Sequence, residues 1–449
     1  MTGVGDTAAA IAAYNRLVES DAAAVEDAAR LAGAFSAAGV TFDGAPMRTF
    51  LRPHLVAQRD WDALRDAAGG LMELAARAAR HAFGGDVAAL LAFLGTPEDE
   101  ARWVALDPGP PDVVLSRLDA FLTPQGPRFI EINSDAPAGF GYGDRMAEVF
   151  AALPAFRTFR RTRRVRYLPS APRLVEAVGR TWRSHGGAGV PTVAIVDWED
   201  VKTRADQEIL RAGFEAAGFP AFLCDPRAVG VAGGRLRASG RAVDVVYRRV
   251  LLQDLVAAEQ DVRPFLEAYR DRRAVFVNSC RCRLSEDKAF FALLSDERFE
   301  ALLGAGERAL VARVVPWTRK VEDRRTRRGG LEVDLVPHVL HGREGLVLKP
   351  AHGYGGRSVL IGDETSPPAW EAAVSAAVGG AWVVQERVGI PEEPFPVVEE
   401  GRLRFEALKV NVNPFYVAGA EAGAVTRASR SAVINVSAGG GSVPTFVVD

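Results

Sequence analysis

At 449 residues, 48% hydrophobic and 25% charged, the chain has material for roughly two to four structural units with substantial cores. Its formal net charge of −2, from 55 basic and 57 acidic side chains, excludes a general attraction to nucleic acid or anionic membrane. Cys224, Cys280 and Cys282 are too few for a disulfide framework, and Cys280-Arg-Cys282 has no second Cys/His pair to complete a zinc site. With no apolar run of about 20 residues and no basic-then-apolar leader, the expected location is a reducing cytoplasm.

Residues 7–37 are alanine-rich, with Ile11, Tyr14, Leu17 and Val18 at helical spacing and Asp6 as a candidate N-cap. A short extended piece is expected at 50–56. A helix is expected over 60–83, with Leu64, Leu71, Leu74 and Ala78 on one side, and another begins near 97. Residues 1–110 thus read as a mostly helical N-terminal region without recognisable chemistry.

Residues 111–165 carry the first chemical signal. Two strands, 113–121 and 128–133, flank the turn 123–126. Arg117 and Asp119 are an i, i+2 pair, as are Glu131 and Asn133, so each pair projects from one face of its strand. If the strands pair, all four side chains converge. Two carboxylates and a carboxamide oxygen suit a hard cation such as Mg²⁺, and Arg117 beside them suits phosphate. The alternative is a solvated hairpin face with cross-strand ion pairs. The glycines of 134–143 do not form G-x-G-x-x-G between a strand and a helix, which excludes a dinucleotide fingerprint. The basic run 157–166 reads as a solvated linker and boundary.

Residues 166–275 alternate strand, helix and strand, as expected of a small parallel sheet. Adjacent Arg248 and Arg249 on the strand 244–250 point to opposite sides. Either one offers a partner to a substrate carboxylate, or the pair makes ion pairs at a sheet edge.

In 276–449, Lys288 stands near a helix start, unfavourable for the helix dipole unless a phosphate joins it. Residues 318–328, of mixed charge, read as a flexible lid. The strand 346–348 delivers Lys349 to a turn containing Gly353, Gly355 and Gly356, and 358–361 returns from it. Such a hairpin is either a nucleotide clamp or an ordinary surface turn. The strand 381–385 ends in Gln385-Glu386, a candidate edge for adenine. The segment 438–442 is expected to be flexible and polar, and no P-loop occurs.

Together these segments resemble the ATP-grasp superfamily in its circularly permuted branch, which includes the synthetase part of glutathionylspermidine synthase. The resemblance rests on Arg117-x-Asp119 with Glu131-x-Asn133 following, on Asn278…Asp287-Lys288, on Lys349…Gly353-Tyr-Gly-Gly356 and on Val383-Val-Gln-Glu386. It covers roughly residues 110–440, and the metal residues precede the glycine turn, the reverse of the family's usual order. It implies an α+β/α/β fold: a permuted ATP-grasp core, a small parallel-sheet pre-ATP-grasp domain (166–275) and the helical region (1–110). The metal-binding segment would be 111–165 and the nucleotide-binding region 276–449. The implied activity is an ATP- and Mg²⁺-dependent carboxylate–amine ligase working through an acyl-phosphate. The alternatives are a small-molecule kinase and a non-catalytic nucleotide-binding partner protein. By the resemblance, Asp119, Glu131 and Asn133 are metal ligands. Arg117 is a phosphate contact, and Arg427, with Arg430 competing, is the late arginine on the γ-phosphate. Lys288, Lys349, Gly353, Gly355, Gly356, Gln385 and Glu386 serve the nucleotide. The implied partners are ATP, a small carboxylate and an amine, with no nucleic acid or membrane. An amidase-like nucleophile region is missing, so glutathione and spermidine do not carry over as substrates.

Overall fold

The computed structural model describes residues 3–353, 358–436 and 439–449, with side chains from residue 7 onward. Its largest sheet has eight strands drawn from distant parts of the chain. The order is His54–Ala57, Gly441–Val448, Ala420–Ser429, Arg402–Val417, Leu115–Thr123 and Gly126–Asn133. Glu392–Glu399 pairs with Arg402–Val417, and Val165–Arg166 with Gly441–Val448. All pairings are antiparallel except that of His54–Ala57 with Gly441–Val448. The helix Gln58–His81 lies on this sheet, burying Trp61, Leu64, Ala68, Leu71, Ala75 and Ala78 at helical spacing.

The parallel unit expected in 166–275 is present. Val193–Val196 pairs in parallel with Ala221–Cys224 and Val245–Arg248, and Val275–Val277 extends the sheet. Val193–Val196 and Val245–Arg248 are buried throughout, as strands covered on both faces must be. A separate antiparallel sheet joins Thr318–Lys320, Trp382–Glu386, Leu346–Pro350 and Leu360–Ile361. It has its own core around Val321, Leu335, Leu346, Leu348, Trp370 and Val384.

Three expectations are corrected. The basic run 157–166 is not a linker. Pro154–Thr162 is a helix whose Phe156 and Phe159 bury against Tyr14, ring centroids 6.3 and 5.4 Å away, leaving Arg157, Arg160 and Arg161 outside. The segment 318–328 is not a loose lid. Arg325–Arg328 pairs with Leu331–Asp334, and Glu297 holds Arg319 at 2.8 Å and Arg324 at 2.9 Å. The end of the glycine run is not flexible: Gly441 and Ser442 begin a strand buried at every position, while residue 438 lies outside the described residues. Any side chain at 441 would collide with Phe50, whose ring is 2.5 Å from where a Cβ would stand.

The parallel unit is locked to the large sheet by one carboxylate. Asp206, on the helix Arg204–Ala216, accepts from the N–H groups of Gly139 (3.0 Å), Gly141 and Tyr142 (2.9 Å each) at the start of the helix Phe140–Ala152. It also pairs with buried Arg249 at 3.1 Å. The approach is close enough to require glycine: a Cβ on Gly141 would lie 2.9 Å from the Asp206 carbonyl oxygen. Asp206→Ala removes the cap and strands a buried guanidinium, so unfolding in urea should show a loss of about 3–5 kcal/mol.

Candidate functional site

The hairpin register places Arg117 opposite Asn133 and Asp119 opposite Glu131, so the four side chains meet as the i, i+2 spacing requires. The Asn133 side-chain amide donates to Asp119 Oδ1 at 3.1 Å and Glu131 Oε1 at 3.3 Å. Arg117 Nε donates to Asp119 Oδ1 at 3.1 Å, and its Nη1 donates to the Ala138 carbonyl at 3.2 Å. Arg427, on Ala420–Ser429, reaches past the intervening strand Arg402–Val417 to donate to Asp119 Oδ2 at 3.2 Å. Arg430 instead turns to Glu399 and Glu406 at the surface. Of the two late arginines, Arg427 therefore faces the cluster.

The helix Lys288–Ser295 and the second sheet supply the remaining cations. Lys288 Nζ lies 3.8 Å from Glu131 and donates to the Gly353 carbonyl at 2.7 Å, so one lysine links the glycine segment to the carboxylates. Gly355 and Gly356 lie outside the described residues. Lys349 is buried and donates to Gln385 Oε1 at 2.7 Å, while Gln385 Nε2 donates to Thr318 Oγ1 at 3.1 Å. The Gln385 side chain thus orients Lys349, with Thr318 behind it. Pattern reading missed Thr318 because nothing local marks a threonine as support for a lysine thirty residues on. The Glu386 carboxylate is held by Arg328 at 3.0 Å and Arg128 at 3.2 Å, which ties the second sheet to the hairpin strand Gly126–Asn133.

Arg248 and Arg249 sit away from this cluster, fully buried against the chain's own carboxylates. Arg248 pairs with Asp135 at 2.5 Å and Arg249 with Asp206. Asn278 is a brace. Its side chain accepts from the N–H groups of Val114 and Leu115 and donates to the carbonyls of Leu115 (2.7 Å) and Ser134 (2.6 Å). Glu286 accepts from the backbone of Ser134 and Asp135; burial and the nearby Asp135 push its pKa up to about 7. Asp135, Cys282 and Glu286 form a tight buried group, but Asp135 is already committed to Arg248 and the Leu252 N–H. Together they hold the turn that follows Asn133.

Burial pushes the Asp119 carboxyl up, but Arg117 and Arg427 outweigh burial and keep it below its ordinary value. The cations show the converse. Burial and adjacent Arg117 pull Arg427 down to about 10. Burial, against the attraction of Glu131 and with repulsion from Lys288, pulls Lys349 down to about 8. Both remain charged at neutral pH, with their charge incompletely balanced, and an anion between them would relieve that imbalance. Asp119 and Glu131 offer hard oxygen donors, and the Asn133 carboxamide offers its oxygen once turned about its terminal torsion. That donor set fits a divalent cation.

No family model matches the chain. Over 218 residues, 46% of its length, it is 28% identical to a candidate glutamate–cysteine ligase 2-2 of Frankia casuarinae. Over 220 residues it is 28% identical to a candidate glutamate–cysteine ligase 2-3 of Frankia alni. The chain spans only 23% and 24% of the length of these curated relatives. Among solved structures, a glutathione synthetase-like effector from Globodera pallida, in its apoform, aligns over 94% of this chain and 96% of its own at 10% identity. The TM-score of 0.63 shows a shared fold.

Lysine-selective NMR should find one amine titrating near pH 8 that disappears in Lys349→Met. Gln385→Leu removes an acceptor from the charged form and should move that titration lower. Because the unfolded chain holds this proton to higher pH, the contribution of Lys349 to stability rises as pH increases above about 8. A titration at the ordinary lysine value would contradict the burial.

Proposed function

We propose that this chain is an ATP- and Mg²⁺-dependent carboxylate–amine ligase of the permuted ATP-grasp type. The observation that carries the reading is the convergence of Arg117, Arg427 and Lys288, from three separate segments, on the Asp119/Glu131/Asn133 group. Lys349 adds a fourth, buried cation. Supporting it are the fold shared with a glutathione synthetase-like protein and the partial similarity to candidate glutamate–cysteine ligases.

In this reading Asp119, Glu131 and Asn133 would hold Mg²⁺, which when bound would neutralise phosphate charge. Lys288 and Lys349 hold the inner phosphates. Arg117 and Arg427 orient the γ-phosphoryl group for in-line attack by a substrate carboxylate oxygen, and ADP leaves. The amine nitrogen then attacks the acyl carbon, the C–O bond to phosphate breaks, and the amine loses a proton. No enzyme nucleophile is needed, and placement and charge stabilisation carry the rate.

ADP release should be screened with amino acids and polyamines, glutamate and cysteine first, with mass spectrometry of the products. Asp119→Asn and Glu131→Gln should each lower turnover at least roughly 10²-fold. Glu131→Gln should leave the melting profile intact, whereas Asp119→Asn also unbalances two largely buried guanidiniums and should lower the melting temperature without abolishing the fold. Arg427→Ala should cost roughly 10³-fold, whereas Arg430→Ala should leave turnover near wild type. A phosphorylated product that forms without an amine would replace ligase with kinase. Nucleotide binding without turnover under any substrate pair would leave a binding partner.

A further inference from the structure

Three successive residues at the start of the glycine segment are tied to three different elements. The Ala351 N–H donates to the Ala381 carbonyl at 2.8 Å, and the Ala351 carbonyl accepts from the Lys288 N–H at 3.2 Å. The Gly353 carbonyl accepts from Lys288 Nζ. Between them His352 is 17% exposed, with Nε2 lying 2.7 Å from the Gly95 carbonyl and Nδ1 in a 2.6 Å ion-pair contact with Asp287 Oδ2, close in distance but not aligned for a hydrogen bond. Gly95 closes the helix Val87–Leu94 of the N-terminal region. Asp287 caps the helix Lys288–Ser295 by accepting from the Ala289 N–H at 2.8 Å.

The chemistry of these two partners decides the state of the ring. A carbonyl only accepts, and an ionised carboxylate only accepts. A neutral imidazole carries one N–H, which the Gly95 carbonyl takes, and would leave the second nitrogen uncharged 2.6 Å from a carboxylate oxygen. The imidazolium keeps the first contact and adds the attraction of its charge for Asp287. The other charged groups around the ring are Arg283 and Glu100, together with Lys320, which donates to the Phe93 carbonyl two residues before Gly95.

We propose that His352, as an imidazolium, is a positioning residue for the nucleotide: it pins the start of the glycine segment to the helix that carries Lys288 and to the N-terminal helical region. The proposal rests on the nucleotide-binding reading above. It also assigns a role to the first hundred residues, since Gly95 supplies one of the two anchors. Burial works against the charge, but Asp287 and the Gly95 carbonyl outweigh burial and Arg283 and leave the pKa of His352 above its ordinary value. The pin is therefore fully present below the ordinary histidine range and is lost as pH rises through the elevated value.

The test starts with the unmodified chain. Imidazole ¹⁵N NMR should show both ring nitrogens of His352 protonated at neutral pH, with a midpoint above that of free histidine and lowered by Asp287→Asn. Calorimetric affinity for a non-hydrolysable Mg·ATP analogue is then measured from pH 6 to 9. Wild-type affinity should weaken through the His352 midpoint. His352→Ala should bind about tenfold more weakly at pH 6.5, the worth of one charge-assisted contact. With the ring gone, only the dependence due to Lys349 should remain. In turnover the KM for ATP should rise with kcat little changed, and the Ala351 amide should exchange faster in the variant. His352→Gln serves the same comparison should the alanine variant unfold. A ring that titrates at or below the free value, or variants with unchanged affinity and unchanged Ala351 exchange, would overturn the pin. If wild type binds no nucleotide, the functional reading fails, while the NMR midpoint and Ala351 exchange still decide whether His352 pins this segment.

Discussion

The arrangement rests on the Asp119 carboxylate, buried between the guanidiniums of Arg117 and Arg427. Burial alone would favour a neutral acid, yet two adjacent cations hold it ionised. That contact joins positions 308 residues apart in the chain and spans three adjacent strands of the large sheet. One carboxylate does not balance two guanidiniums, and Lys288, from the helix Lys288–Ser295, and Lys349, from the second sheet, add further positive charge. Burial first, and then the neighbouring cations, lower the values of Arg427 and Lys349, and the positive charge left unbalanced favours a bound anion.

Around this contact the chain places its own buried charges as braces. Asp135 with Arg248 and Asp206 with Arg249 hold the two ends of the segment that runs from Asn133 to the helix Phe140–Ala152. Asn278 stitches the strand Leu115–Thr123 to the same segment with hydrogen bonds on every side. Polar groups so deeply buried are tolerated because their charges are paired and most of their donors and acceptors find partners, Arg249 Nε being an exception. The parallel α/β unit therefore acts as a buttress that positions Asp119 and Asn133, and its arginines serve the frame.

Much of this was legible in local patterns. Alternation along 113–133 indicates the hairpin and the face on which Arg117, Asp119, Glu131 and Asn133 meet, but the register also needs a bulge at Ile130, which no two-residue period encodes and which brings Phe129 onto the buried face with Ile132 and Leu118. The parallel unit was legible because apolar runs of strand length, separated by a helix, have few other ways to bury both faces. The run 157–166 reads as a linker because its six arginines mask the two phenylalanines, Phe156 and Phe159, that decide the packing of the helix Pro154–Thr162. The glycines of 438–442 read as flexible, but one of them, Gly441, lets Phe50 approach a buried strand.

What the sequence by itself determined is the chemistry available: carboxylates paired on one hairpin face, a lysine beside a glycine turn, and arginines in surplus over the acids near them. These follow from periods of two and from turn residues, which act within a few positions. Tertiary structure alone decided which groups meet. It chose Arg427 over Arg430, since only one strand position faces Asp119. It turned Arg248 and Arg249 inward to internal carboxylates, spent the side chain of Gln385 on Lys349, and brought the Gly95 carbonyl to His352. These contacts join residues from 36 to 308 positions apart in the chain. Such contacts are fixed by how the sheets and helices bury their apolar faces, and no local pattern in the chain encodes them.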